Sequence, residues 1–100
     1  MMAVGACGLM NAVGNLQPKK LSRMCEAVWA GDLIKAKRLH YDLFEINQAV
    51  FYDTNPIAIK YMMKKLRIMP KNEHRLPMVA ATKELEKRLG GVLNRNGLPK

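Results

Sequence analysis

A short apolar stretch near the amino terminus places the strongest constraint on the fold of this chain. Residues 4–13 are mostly small or apolar and are bounded by glycines, with the sequence GACGLMNAV at 5–13. This length and these glycines favour a short buried strand over a helix, and we predict a strand at 8–12. No later segment has the β-branched and aromatic alternation of a partner strand. Its hydrogen-bonding neighbours are therefore expected outside this chain or in another copy of it.

The rest of the chain has the apolar periodicity of helices. Four segments place apolar residues three and four positions apart, which puts them on one face of a helix. These stripes are Leu21, Met24, Cys25, Val28 and Trp29; Leu33, Ala36, Leu39, Leu43, Ile46 and Val50; Ile59, Met62, Met63 and Leu66; and Leu85, Leu89, Val92 and Leu93. The polar segment 70–77 is bounded by two prolines and is predicted to be a connector. The sequence therefore predicts a mostly α chain.

Residues with strong conformational preferences set the expected ends of these helices. Gly31 is predicted to end the first helix, and Asp32 is predicted to cap the second with its carboxylate. Asn55 is expected to cap the third helix, with Pro56 at its first position. Thr82 is expected to cap the fourth.

The fourth helix contains a weak point. Two consecutive glycines occupy positions 90 and 91, and each costs about 1 kcal/mol relative to alanine inside a helix. We expect the helix to fray after Leu89 unless packing compensates.

The charge of the chain suggests one class of function and the positions of the charges argue against it. Lysine and arginine number 17 against 8 acidic residues, a formal net charge of +9. Such a balance favours polyanions, and a small basic helical module that binds nucleic acid is one alternative function. The cations are spread along the whole chain, however, and solvated helix faces explain this distribution better. Nucleic acid is therefore not the expected partner.

Reactive side chains form no recognisable site. Cys7 and Cys25 make neither a CxxC pair nor a repeated ligand pattern, so we expect buried free thiols and no metal site. His40 and His74 have no second ligand or nucleophile at a useful spacing and are expected to be structural or solvated. Lys60 lies on a helix flank with no evident desolvation, and we reject it as a Schiff-base amine. The sequence has neither GxGxxG nor GxxxxGK[ST], and we expect no cofactor.

The amino-terminal residues do not resemble a targeting segment. Residues 1–10 are apolar but lack a basic region, and their apolar core is too short for secretion or for spanning a membrane. The proportions of hydrophobic and charged residues, 49% and 25%, also argue against a disordered tail and a membrane protein. We therefore expect no membrane association and a location in the reducing cytoplasm.

Four blocks of sequence follow one another along nearly the whole chain: GACGLMNAVGN, CEAVWAGDLIKAKRLH, DTNPIAIKYMMKKL and HRLPM. Their order and spacing resemble the carboxyl-terminal part of the dihydrodipicolinate synthase family, which are pyruvate-dependent class I aldolases and lyases. Residues 55–60 are similar to the family's NPIPVK helix start, and residues 75–78 are similar to its RLPM segment. Together these two motifs favour the dihydrodipicolinate synthase branch over the N-acetylneuraminate lyase branch.

The resemblance implies a (β/α)8 barrel followed by extra helices. This chain would hold the last strand and helix of the barrel at 1–31 and the C-terminal helical extension at 32–100. A complete barrel takes about 250 residues, more than this chain contains. In the family, pyruvate is held as a Schiff base on a lysine of the sixth strand, aided by a tyrosine of the fifth and a threonine-rich loop after the second. None of these elements is present in this chain.

The implied activity is that of the whole family enzyme. It condenses pyruvate with an aldehyde, expected to be aspartate semialdehyde, in lysine biosynthesis, and the full-length parent is expected to be a homo-oligomer. The chain alone lacks the amine that would form the iminium, so we expect it to be inactive. The alternatives are another pyruvate aldolase of the same family, the nucleic-acid-binding module, and a helical protein that packs on the full-length enzyme through its strand edge and helix stripes.

The resemblance carries over to two positions of the pocket. Met10 stands where the family has the isoleucine of GVI, whose backbone faces the pyruvate adduct. Asn11 follows at a position usually occupied by serine. We therefore predict Met10 and Asn11 as substrate-binding residues, with no catalytic residue and no metal ligand in this chain. Ala58 and Ala80 replace family prolines, which should alter backbone stiffness more than chemistry.

Overall fold

The computed structural model describes residues 1–98, which form four α-helices and two 3-10 turns. The helices are α1 (Pro18–Trp29), α2 (Leu33–Ala49), α3 (Ile57–Lys65) and α4 (Lys83–Arg95). The 3-10 turns span Met2–Val4 and Ala12–Asn15. The prediction of a mostly α chain is confirmed, and each of the four apolar stripes lies in or at the end of one helix. None of the helices in this range is long and apolar enough to cross a membrane.

The segment predicted as a strand has no strand partner. No residue of 1–98 is in a strand, and residues 6–11 form an irregular link between the two 3-10 turns. At the end of this link, Asn11 has the extended backbone angles φ −147° and ψ 134°. Residues 7–10 make no hydrogen bond to other main-chain groups of the described residues. The prediction of a strand at 8–12 is therefore wrong for this chain, because a strand requires a hydrogen-bonded neighbour and the helices provide none.

Three of the predicted helix ends are confirmed. Gly31 has a φ of +76°, the left-handed conformation that ends a helix. The carboxylate of Asp32 accepts a hydrogen bond from the Lys35 backbone N–H at 3.0 Å. The hydroxyl oxygen of Thr82 accepts one from the Leu85 N–H at 3.2 Å. In both caps a side-chain oxygen pairs with an N–H that has no partner inside the helix.

The predicted start of α3 is wrong by one residue. The helix begins at Ile57, and Pro56 occupies the cap position without a capping side chain. Pro56 has φ −106° and ψ 23°, which are not helical angles, so Asn55 stands too early to cap the helix. The Ile57 N–H donates instead to the Thr54 carbonyl at 2.9 Å. A backbone turn thus satisfies the donor that the Asn55 side chain was expected to satisfy.

The core lies between α2, α3 and α4. Its fully buried side chains come from all three helices and from the turn before α1: Val13, Leu43, Ile46, Val50, Met62, Leu89, Val92 and Leu93. Helix α1 contributes differently, because Ala27 is its only buried residue. It packs mainly on α2 and leaves most of its apolar stripe half-buried or exposed.

Packing removes the expected weak point in α4. The helix continues through both glycines to Arg95, and Val92 and Leu93 beyond them are buried. The Arg95 Nε donates to a Glu45 carboxylate oxygen at 2.9 Å, and the Asn96 amide donates to the other oxygen at 2.7 Å. The end of α4 is thus fastened to α2, and the expected fraying after Leu89 does not occur.

Glu45 is expected to make part of the chain's stability depend on pH. The hydrogen bond from Arg95 holds the pKa of Glu45 below its ordinary value of 4.5, although burial opposes this shift. A carboxyl group whose pKa is lowered by folding adds to the stability of the protein at pH values above its ordinary pKa. This contribution is lost as the pH falls through the folded-state pKa. Since the pair is partly exposed, the contribution is about 1 kcal/mol or less.

Urea denaturation at pH 7 and at a series of pH values below 4.5 tests this expectation. Glu45→Gln should lower stability at pH 7 and should lose less stability on acidification than the parent chain. Glu73→Gln is the matched control, because Glu73 pairs with Lys71 and both side chains are about three-quarters exposed. Parallel pH profiles for Glu45→Gln and the parent chain would contradict the assignment.

Candidate functional site

The two predicted substrate-binding residues lie side by side at the carboxyl end of segment 6–11. Met10 is fully exposed. Asn11 is held at both polar atoms of its side chain: its Oδ1 accepts from the Val13 N–H at 2.7 Å, and its Nδ2 donates to the Asn47 Oδ1 at 3.0 Å. The first bond caps the 3-10 turn at Ala12–Asn15, and the second connects that turn to α2.

A small cleft of about 140 Å³ brings Met10 and Asn11 together with the end of α2. Asn47, Val50 and Phe51 line its other side. Sequence reasoning missed these three residues, because 36 positions separate Asn11 from Asn47 and no local spacing relates them. The cleft is smaller than the roughly 300–1,000 Å³ of most ligand pockets.

The chemistry of this cleft is that of amides and apolar groups. No lysine, histidine, cysteine, aspartate or glutamate is among the residues that line it. Such a cleft can position a ligand through shape and through main-chain groups, but it supplies neither a nucleophile nor a general base.

Lys60 and His74 serve the connector at 70–77. The Lys60 ammonium donates to the main-chain carbonyl of Glu73 and so ties the connector to α3. His74 Nε2 lies 2.9 Å from the Asn72 Oδ1. Neither Lys60 nor His74 lines the cleft at Met10 and Asn11. Both residues therefore contact the connector and lie away from the cleft.

The remaining candidate side chains do not converge. Cys7 is exposed and Cys25 is half-buried, so the expectation of buried thiols is wrong, most clearly for Cys7. Cys7 is one of residues 7–10, which have neither main-chain hydrogen bonds nor a strand partner among the described residues. His40 is exposed beside the ring of Tyr41, at 5.5 Å between centroids. Within residues 1–98 no three histidine, cysteine, aspartate or glutamate side chains gather as a metal site would require.

A second, larger cavity separates the amino-terminal residues from the first two helices. This α1–α2 groove has a volume of about 610 Å³ and is lined mainly by apolar side chains, with Lys37 and His40 as the polar ones. Leu9 of segment 6–11 forms one side, Met24 and Val28 of α1 the second, and Leu33 and Tyr41 of α2 the third.

Comparison with known proteins assigns a family to this arrangement. The family model described as "Dihydrodipicolinate synthetase family" matches residues 1–96. Among curated proteins, the 4-hydroxy-tetrahydrodipicolinate synthase of Oleidesulfovibrio alaskensis is 41% identical over 101 residues, covering 98% of this chain and 33% of that protein. The protein of the same name from Thermus thermophilus is also 41% identical, over 98% of this chain and 32% of its own length.

Solved structures of enzymes named dihydrodipicolinate synthase are similar in fold to this chain. The dihydrodipicolinate synthase of Aquifex aeolicus matches with a TM-score of 0.92 and 33% identity, over 98% of this chain and 33% of that chain. The enzyme of Thermotoga maritima matches with a TM-score of 0.90 and 32% identity, over 97% of this chain and 32% of that chain. These enzymes are (β/α)8 barrels, and the chain spans about a third of the length of its relatives. The chain therefore belongs to the dihydrodipicolinate synthetase family.

Proposed function

We propose that this chain forms the last strand and helix (1–31) and the C-terminal helical extension (32–100) of a lyase that condenses pyruvate with an aldehyde through a lysine Schiff base. The observation that carries the proposal is the family match over residues 1–96. The fold of the chain also matches about a third of the length of enzymes named dihydrodipicolinate synthase. The proposed boundary follows Gly31, whose left-handed backbone separates α1 from α2.

Met10 and Asn11 are assigned to the edge of the pyruvate pocket. Their position at the carboxyl end of segment 6–11 supports this, because ligands of (β/α)8 barrels bind at the carboxyl ends of the strands. The exposed Met10 side chain and the small cleft behind it leave that end of the segment open to a ligand. Aspartate semialdehyde as the aldehyde and lysine biosynthesis as the pathway are part of the proposal, which the relatives' shared name, 4-hydroxy-tetrahydrodipicolinate synthase, supports. A homo-oligomeric parent and a cytoplasmic location belong to the same proposal.

The reactive amine must come from the remainder of the barrel. A lysine nucleophile needs desolvation or a cationic neighbour to be unprotonated near neutral pH. No lysine within residues 1–98 is buried. In the proposed reaction the amine adds to the pyruvate ketone and water leaves, which gives an iminium. Loss of a methyl proton then produces the enamine whose carbon attacks the aldehyde. This chain would position the adduct but form no bond to it.

Reduction with borohydride in the presence of pyruvate tests the proposal. The chain alone should gain no mass, whereas a fusion of the chain to the barrel portion of the Thermotoga maritima enzyme should gain one reduced pyruvate per molecule. Borohydride without pyruvate is the control for both samples, and circular dichroism verifies that the fusion is folded. An adduct on the chain alone would overturn its inactivity. A folded fusion that traps no pyruvate would overturn the proposed function.

A further inference from the structure

We propose that Asn47 of α2 is a positioning residue for the pyruvate pocket, and that it fixes the main chain of Met10 through its hydrogen bond to the Asn11 side chain. The inference deepens the proposed function and rests on it, since that function assigns Met10 and Asn11 to the edge of the pocket. Asn47 lies in the C-terminal helical extension. A residue of the extension would therefore act on a pocket that the barrel forms.

The main chain at Met10 needs support from the residue that follows it. Residues 7–10 make no hydrogen bond to other main-chain groups of the described residues, and the Met10 side chain is fully exposed and does not pack. Neighbouring barrel strands would pair with this segment, but ligands of (β/α)8 barrels bind where the strands pass into the loops after them. The position of Met10 at that end therefore depends on how Asn11 is held.

Three hydrogen bonds among the described residues hold Asn11. Its carbonyl accepts from the Gly14 N–H at 3.1 Å, and its Oδ1 accepts from the Val13 N–H at 2.7 Å. These two bonds are local and fix the shape of the 3-10 turn at Ala12–Asn15. The third bond, from the Asn11 Nδ2 to the Asn47 Oδ1 at 3.0 Å, reaches α2. This bond determines where the turn and Asn11 lie relative to the helix.

The local bonds also determine what Asn47 must supply. A main-chain N–H can only donate, so the Asn11 side chain has to direct its Oδ1 to Val13 and its Nδ2 to Asn47. Asn47 must therefore present an acceptor oxygen. A side chain without an oxygen at this position cannot make the connection.

The core holds Asn47 itself in place. Its neighbours on α2, Ile46 and Val50, are completely or almost completely buried. Close packing of these side chains limits the movement of this part of the helix. A site keeps its geometry best when its residues are supported by such a rigid element. Asn47 thus connects an otherwise weakly held pocket edge to the core.

Amide hydrogen exchange of the chain, followed by NMR, tests the connection. Asn47→Ala removes the acceptor but keeps a strong helix former. The Val13 N–H should then exchange at least about threefold faster relative to the Leu43 N–H of the core, because the Asn11 side chain that caps it is released from α2. Asn47→Asp keeps an oxygen and should restore slow exchange. Gln48→Ala is the matched control, because Gln48 is exposed, follows Asn47 in α2 and does not line the cleft. Equal Val13 exchange in Asn47→Ala and Gln48→Ala would overturn the connection.

The pyruvate dependence of borohydride trapping tests the positioning role. It is measured in the fusion of this chain to the barrel portion of the Thermotoga maritima enzyme, at one short reduction time. Asn47→Ala should raise the pyruvate concentration for half-maximal trapping about two- to tenfold and leave the maximal trapped fraction unchanged. Gln48→Ala should match the parent fusion. A residue that served folding alone would lower the maximal fraction and leave the half-maximal concentration unchanged, and that result would overturn the proposal.

A double-mutant cycle shows whether Asn47 acts through Asn11. Both residues line the cleft, so either single substitution alters the cleft as well as the bond. Asn11→Ser keeps an oxygen for the Val13 N–H and removes the amide that donates to Asn47. In the Asn11→Ser fusion, Asn47→Ala should therefore change the half-maximal pyruvate concentration by less than about twofold.

The outcomes distinguish this inference from the proposed function. A fusion that traps pyruvate equally well with Asn47→Ala and Gln48→Ala would overturn the positioning role and leave the proposed function intact. An equal effect of Asn47→Ala with and without Asn11→Ser would assign Asn47 to direct contact with the ligand and would also overturn the proposal. A folded fusion that traps no pyruvate would overturn the proposed function and this inference with it.

Discussion

Val92→Asp is expected to abolish the cooperative folding of this chain. Val92 has no exposed surface and packs in the core between α2, α3 and α4. A carboxylate at that position would be buried without a partner, which costs several kcal/mol. Domains of this size are stable by about 5–15 kcal/mol in total. Urea unfolding followed by far-ultraviolet circular dichroism should show a lost or broadened transition.

The matched control for this change is Asn94→Asp. Asn94 lies two positions further along α4 and is exposed, so the same charge is introduced on the opposite side of the helix. Its effect should stay within about 0.5 kcal/mol, as for most surface substitutions. Equal transition midpoints for the two variants would show that Val92 is not in the core.

Leu43→Ala is expected to lower the free energy of unfolding by about 2–5 kcal/mol, through lost apolar contacts and the cavity that remains. Leu43 is completely buried in the middle of α2. Ile34→Ala in the same helix is the control, because Ile34 is 80% exposed and should change stability little. Urea midpoints at unchanged m-value measure both effects. A Leu43→Ala midpoint that coincides with that of Ile34→Ala would contradict the core assignment.

The features predicted correctly from the sequence depend on residues that are close along the chain. Asp32 and Thr82 cap helices because an oxygen on a short side chain reaches an N–H three positions later, whatever the rest of the fold does. Gly31 ends α1 because the left-handed conformation is available to glycine without cost. The apolar stripes identify the helices for the same reason.

The features that the sequence left conditional or that were predicted wrongly depend on distant contacts. The two glycines of α4 do not break it, because Glu45 in α2 fastens Arg95 across 50 positions of sequence. The strand predicted at 8–12 is the opposite case. Its local pattern suits a strand, but no partner strand lies among the described residues and it does not form. The conformational preference of a segment determines its secondary structure only where its hydrogen-bonding and packing partners are also present.

The candidate site was even less accessible to pattern analysis. Met10 and Asn11 were singled out by the family resemblance and not by spacing or charge. Nothing near them in sequence indicates that Asn47 supplies the opposite wall of the cleft, because that relation arises only when the turn before α1 packs on α2.

Asn11 makes two side-chain hydrogen bonds, and only one of them would be available to the serine that the family usually has at this position. A serine hydroxyl could still accept from the Val13 N–H, but its side chain is one heavy atom shorter and has no amide to reach Asn47. The asparagine therefore connects the 3-10 turn at Ala12–Asn15 to α2. Kinetic effects of exchanging either Asn11 or Asn47 would therefore report the loss of this connection together with a change in the cleft, because both residues line it.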